Sequence, residues 1–380
     1  MVRAGNTSRR VFVRREMPVP LPSADDQLLG PMSEAEVFLL ARGIASAVAP
    51  EGGLTTLQAA LLPAVSESMT GFRPDVTAVE PLSASGLAEG LRRRNIEFRT
   101  RIVQLMVLAE LILVPLPEDV AARVERYAHE LMVDEGMLRV ARDYAKGSLG
   151  LALIDFDRNG YTASWQEHQH AALHTTGALA EAWQESVNDA ALAQRWADLE
   201  RCPDGAIGRA VFDFYRARGF SFPGTPGSAP PLLAQHDWVH VVADYGTKVE
   251  SEIEVFGLIA RAIPSPQGFS LLAMVIGLFE TGYVHAAAGI FEYDRGHLSE
   301  AGMPERLANA MYRGAMCGKD LLAVDWFEYA DWPLDAVRRE FNIVDKSVEA
   351  IDAGSVGPWH PDGISPFQLE AGRRARESEN

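Results

Sequence analysis

The chain has 380 residues, 47% of them hydrophobic, and a formal net charge of −17; this length suits about two domains with a sizeable buried core. The acidic balance excludes nucleic acid and electrostatic adhesion to anionic lipid, and leaves neutral lipid substrates open. Cys202 and Cys317 are the only cysteines, which excludes a disulfide framework and suits a reducing compartment.

In chain order, Ser8-Arg9-Arg10-Val11-Phe12 has the look of a twin-arginine export signal. Arg14, Arg15, Glu16 and a proline-rich run then occupy the place of the apolar region, so residues 1–30 read as a disordered basic arm. Helical periodicity or strong helix formers cover 33–49, 57–67, 83–114, 118–131 and 136–145, which make an N-terminal helical domain over 31–158. The same signals cover 163–200, 207–218, 232–244, 248–263, 271–288, 304–314 and 333–341. The join between the halves falls at Arg158-Asn159-Gly160 or at the turn over 202–205. From about Asp352, with Gly354, Gly357, Pro358, Pro361 and Gly363 and a charged end, 352–380 reads as a loose tail. The longest apolar stretch, 269–279, is broken by Glu280 and is too short to span a membrane. Alternating strands are absent. The expected fold class is therefore all-α: a multi-helix bundle with a metal site between two antiparallel helices, plus an N-terminal helical extension.

The metal site rests on His236-Asp237-Trp238-Val239-His240 and on Glu252, twelve positions further on. Two histidines four apart lie about 40° apart around a helix, so both imidazoles reach one cation. Glu252 cannot join them along one helix, because twelve residues rise about 18 Å. Asp244-Tyr245-Gly246 supplies a reversal, and Thr247-Lys248-Val249-Glu250 reads as a capping box opening a second helix. On that helix Glu252 shares an apolar stripe with Val249, Phe256, Ile259 and Ile263, while Glu250, Glu254 and Arg261 project to the opposite, solvated side. A carboxylate in an apolar stripe must be protonated, paired or bound to metal. His236, His240 and Glu252 form the ligand set of a catalytic zinc site with an open position; Asp237 is a fourth ligand or an orienting group with a catalytic role. Two histidines and one carboxylate suit Fe2+ as well as Zn2+.

The pattern His-Asp-x2-His-x11-Glu resembles the zinc motif of the coenzyme Q (ubiquinone) biosynthesis protein 4 family. Its surroundings are similar to that family too, with Pro203-Asp204-Gly205-Ala206-Ile207-Gly208-Arg209-Ala210 upstream and Arg313-Gly314 downstream. Asp325-Trp326-Phe327-Glu328 and Pro333-Leu334-Asp335-Ala336-Val337-Arg338-Arg339 complete the likeness, which covers about 195–345. Ser251 stands where the family usually has glycine. The resemblance implies an all-helical domain whose zinc lies beside an apolar pocket for a prenylated aromatic substrate. Phe256, Ile259 and Ile263 are the candidate pocket lining. The implied reaction is oxidative decarboxylation and hydroxylation of a prenylated hydroxybenzoate in ubiquinone biosynthesis. The implied setting is cytoplasmic, with peripheral contact to the inner membrane face, as a homodimer or within a quinone-biosynthesis complex.

Two other readings use the same residues. In a non-enzymatic lipid-binding scaffold of a quinone-biosynthesis complex, the zinc would be structural. A metal phosphohydrolase of the His-Asp superfamily would take His170 or His174, the His236-Asp237 pair, and Asp320 or Asp325. The second leaves His240 and inward Glu252 unexplained, and Lys248 is the nearest basic residue to hold a phosphate.

Overall fold

The computed structural model describes residues 33–134, 136–146, 167–175, 188–284 and 295–378. The basic arm expected at 1–30 and the join at Arg158-Asn159-Gly160 lie outside them. The fold is all-α: among the described residues there is no strand, only an isolated bridge between Ala206 and Pro333. No helix among them is long and apolar enough to cross a membrane.

Side-chain caps set several of the helix starts. Ser33 accepts from Glu36 N to open α1 (Glu34–Val48), and Thr55 and Gln58 cap each other at α2 (Thr56–Thr70). The single helix expected over 83–114 is two, α3 (Ala84–Gly90) and α4 (Ile96–Leu111). Asn95 breaks it: its backbone is extended and its side chain accepts from Phe98 N at 2.9 Å, a start signal inside the stretch of helix formers. α5 (Glu118–Glu130) and α6 (Met137–Ala145) follow. Of the expected 163–200 helix, the described parts are α7 (Glu167–Ala171) and α8 (Ala190–Ala197), the latter opened by Asp189.

The second half contains α9 (Ile207–Arg218), α10 (Pro231–Val242), α11 (Val249–Ala262) and α12 (Phe269–Ile276). α12 runs into a π-helical turn and stops at Gly282 in the left-handed conformation, φ 68°, so the helix expected to reach 288 ends early. α13 (Met303–Cys317), α14 (Leu334–Glu340) and α15 (Val348–Asp352) complete the core. The stretch expected to be a loose tail carries a further helix, α16 (Pro366–Ser378), packed on α9. Gly372 permits that contact, since a Cβ there would lie 2.1 Å from Ala217 O.

α11 is the hub, packed against α13 and α12, and α13 lies in turn against α2. Gly314 of α13 lets the two backbones meet: a Cβ would stand 2.2 Å from Leu258 O. Apolar side chains of the N-terminal helices and of α9–α14 form one continuous core. Arg101 of α4 bonds across it to the carbonyls of Ile263 and Pro264.

One polar group inside this core sets a pH dependence. Glu110 of α4 is fully buried, neither carboxylate oxygen has a partner, and burial followed by the charge of Glu125 pushes its pKa well above the usual range. The unfolded chain therefore releases this proton first as pH rises, and stability falls by about 1.4 kcal/mol per pH unit between the unfolded and folded pKa values. Glu110→Gln should remove that loss. Urea melts of both proteins from pH 5 to 8 check it, with the Gln variant gaining relative stability as pH rises.

Candidate metal centre

α10 is buried along its whole length, so its polar residues must find partners inside the protein. After Val242 the chain reverses through Asp244, which takes a positive φ of 61°. Tyr245 N bonds back to His240 O at 2.9 Å, and α11 then brings Glu252 to the two histidines. His236 Nε2 lies 3.4 Å from Glu252 Oε2, and His240 Nε2 lies 3.3 Å from Glu252 Oε1. The three residues form one close group of potential ligand atoms.

Two of the three residues carry ligand atoms without an ordinary partner. Both nitrogens of His240 and Oε2 of Glu252 are buried without a hydrogen bond, so the 3.3 Å approach of His240 is not an aligned bond. Zinc bound at about 2.0–2.2 Å separates tetrahedral ligands by about 3.3–3.6 Å, which matches both separations. His236 Nδ1 is bonded to the Leu233 carbonyl, which fixes the ring and turns Nε2 inward. Phe256 stacks on His236 with centroids 5.3 Å apart, and Phe214 stacks on His240 at 5.8 Å. The residues present thus fit a divalent cation.

Opposite charges in this dry space hold one another. Burial works against a charged His236, but Asp237 and Glu252 outweigh it and keep its pKa up at about 9. Burial likewise works against a charged Glu252, and His240 and His236 hold it down at about 2. For Asp237 burial wins, and its pKa is raised despite both histidines. Asp237 Oδ1 stands 3.8 Å from His236 Nε2, and Oδ2 accepts a 2.6 Å bond from the Tyr215 hydroxyl. Asp237 is outside the close group of three, beside it and tied to α9.

The projection of α11 needs correction on its supposed solvated side. Glu254 is fully buried and bonds Arg306 of α13 at 2.6 Å, because α13 covers the face that the apolar pattern leaves polar. Glu250 is partly buried and meets His297 Nδ1 at 2.7 Å; with Glu300 these form a second, more exposed group of potential ligands. The capping box is not formed either. Lys248 is the N-cap without a side-chain bond, and Thr247 Oγ1 donates instead to Gln368 Oε1 at 2.6 Å.

Phe256, Ile259 and Ile263 are all buried, but none lines the apolar cavity bordered by Gly257, Ala260 and Arg261 of α11. His174 and Asp325 meet each other at 2.8 Å, and neither they, His170 nor Asp320 joins His236 in a group of potential ligands. Sequence reasoning missed the inward face of α9. Phe214, Tyr215 and Arg218 are buried there; Arg218 lies over Phe214 at 3.8 Å and bonds Thr247 Oγ1 at 3.0 Å.

No family model matches the chain, and no curated protein does. Among solved structures, a Nostoc punctiforme protein provisionally described as a ubiquinone biosynthesis protein is 18% identical over 65% of this chain and 97% of its own, with a TM-score of 0.28. A likeness at that level assigns no function.

Proposed function

We propose that this chain is a metal-dependent enzyme of prenylated quinone biosynthesis, with zinc or Fe2+ held by His236, His240 and Glu252. The observation that carries the reading is the buried convergence of two imidazoles and one carboxylate, in which His240 and Glu252 carry unpartnered ligand atoms. They occupy the positions of the motif that resembles the coenzyme Q biosynthesis protein 4 family. The proposed reaction is oxidative decarboxylation of a prenylated hydroxybenzoate: the ring carboxyl leaves as CO2, one atom of external O2 becomes the oxygen of the new hydroxyl, and the other is reduced to water by two electrons and two protons from an external two-electron reductant. A divalent ion with an open position supplies polarisation of the ring carboxylate or phenolate.

The protein's own groups supply the rest. Asp237, with its raised pKa and its bond to Tyr215, is placed to hold or move a proton and to orient His236. The prenyl tail is proposed to lie along Phe256, Ile259 and Ile263, since Phe256 already packs on a ligand ring. Asp237→Asn should keep the fold and most of the metal but lower turnover at least about 100-fold. Tyr215→Phe should do so more mildly. Rate and bound metal measured on the same samples check this; unchanged turnover of Asp237→Asn in a quinone-pathway assay would favour the scaffold reading.

Tail burial separates this chemistry from phosphate hydrolysis. At about 0.8 kcal/mol per buried methylene, affinity should rise with each added isoprene unit and depend weakly on salt. Titration of short- and long-tailed hydroxybenzoates at two ionic strengths measures both. Salt-sensitive, tail-indifferent binding would remove the quinone reading.

A further inference from the structure

Arg306, Asn309 and Arg313 stand three and four positions apart, so they share one face of α13. All three are under a tenth exposed, although two are cations. Arg306 bonds Glu254 of α11 at 2.6 Å. Arg313 donates Nε to Val344 O at 2.8 Å and lies over the ring of buried Tyr245, its guanidinium carbon 4.9 Å from the centroid. Lys346, whose side chain is 5% exposed, brings its ammonium 4.7 Å from the same centroid.

The charges in this seam do not balance. Three cations face Glu254, which is fully buried, and Asp244, which is half exposed and 3.6 Å from Lys346 Nζ. Arg313 has no carboxylate partner among the described residues; its contacts are a backbone carbonyl and the Tyr245 side chain. Donors are left over as well: Arg306 Nε, Arg313 Nη1, Lys346 Nζ and the Tyr245 hydroxyl are all buried without an acceptor in hydrogen-bond geometry. They come from three separate parts of the chain, the α10–α11 turn, α13 and the stretch after α14. A buried cation is stable only when it is paired. A water could bridge one of these donors to the unpartnered Oε1 of Glu254, but it would leave the positive excess in place.

We propose that this seam binds a small inorganic anion against Arg313 and the Tyr245 hydroxyl, with Arg306 and Lys346 supplying further positive charge. The enclosure limits its size, because no organic tail has a way out of a site whose donors are all buried. Bound there, the anion ties the turn that carries Tyr245 to α13. None of these residues is a ligand in the metal reading, so the two sites are tested separately.

The test is urea unfolding of the full-length protein with zinc in excess, equilibrated from the unfolded side so that a trapped ion exchanges. Chloride or sulfate replaces gluconate at constant ionic strength, gluconate being too large for the enclosed site. The wild-type midpoint should rise with one of the small anions and then saturate; at a hundred times Kd the ratio of folded to unfolded protein gains about 100-fold. Saturation at lower chloride than sulfate identifies a monatomic ion and the reverse a tetrahedral oxyanion, and either supports the site. Arg313→Met should abolish the saturable rise, Tyr245→Phe and Lys346→Met should each weaken the anion about tenfold, and Arg374→Gln, at an exposed arginine, should respond as wild type does. Sulfate's general exclusion from protein surfaces gives a rise that does not saturate and that every variant shares. Two results would overturn the proposal: a wild-type midpoint with no saturable response to either anion, as a buried water predicts, or a full response in both Tyr245→Phe and Lys346→Met, which remain informative even if Arg313→Met does not fold.

Discussion

Glu254→Ala should destabilise the protein by about 3–5 kcal/mol, the largest effect of any single acidic substitution on α11. The variant leaves the guanidinium of Arg306, 8% exposed, without its 2.6 Å partner. Replacing both residues, as in Glu254→Met with Arg306→Leu, should recover much of the loss, because no charge is then buried alone. Glu250→Ala removes only a partly buried contact with His297, and a change within about 1 kcal/mol is expected. Urea unfolding of the four proteins measures these differences. Equal losses in Glu250→Ala and Glu254→Ala would contradict the burial of Glu254 against α13.

Loss of a ligand is the second large effect. His240→Ala and Glu252→Ala should each lose the bound metal, whereas Glu250→Ala, on another side of α11, should keep it. Metal at a hundred times its Kd stabilises the folded state by about 2.7 kcal/mol. Wild type and Glu250→Ala should therefore melt several degrees higher with added zinc than with chelator, while Glu252→Ala and His240→Ala should not respond. A full zinc response in Glu252→Ala would take the carboxylate out of the site.

The convergence of His236, His240 and Glu252 was legible because its evidence is local. An i,i+4 histidine pair, a turn and a carboxylate in an apolar stripe suffice to bring His236, His240 and Glu252 together. What failed was information carried by other elements. A helical projection distinguishes an apolar stripe from a polar one, but α11 is buried from Ser251 to Ala260, and its polar side is satisfied by Arg306, 52 positions away. Tyr215 was overlooked for the same reason, since its partner Asp237 lies on the next helix. A signal was available in α9, where Tyr215 and Arg218 share the apolar face of Val211 and Phe214 and so must be bonded inside. Asn95 and Asp189 show the converse. Each is a local cap sitting inside a long stretch of helix formers, and periodicity overruled it. The tail was misread from its glycines and prolines. They serve close contacts instead: a Cβ at Gly363 would stand 2.3 Å from Gly357 O, and Thr247 N bonds to Gly363 O at 2.6 Å.

The most direct test of the metal centre is X-ray absorption at the metal edge of zinc-loaded wild type. The account predicts a shell of nitrogen and oxygen at about 2.0–2.2 Å containing two imidazoles, one carboxylate and one solvent oxygen. A shell with sulfur from Cys202 or Cys317, or with fewer than two imidazoles, would contradict it.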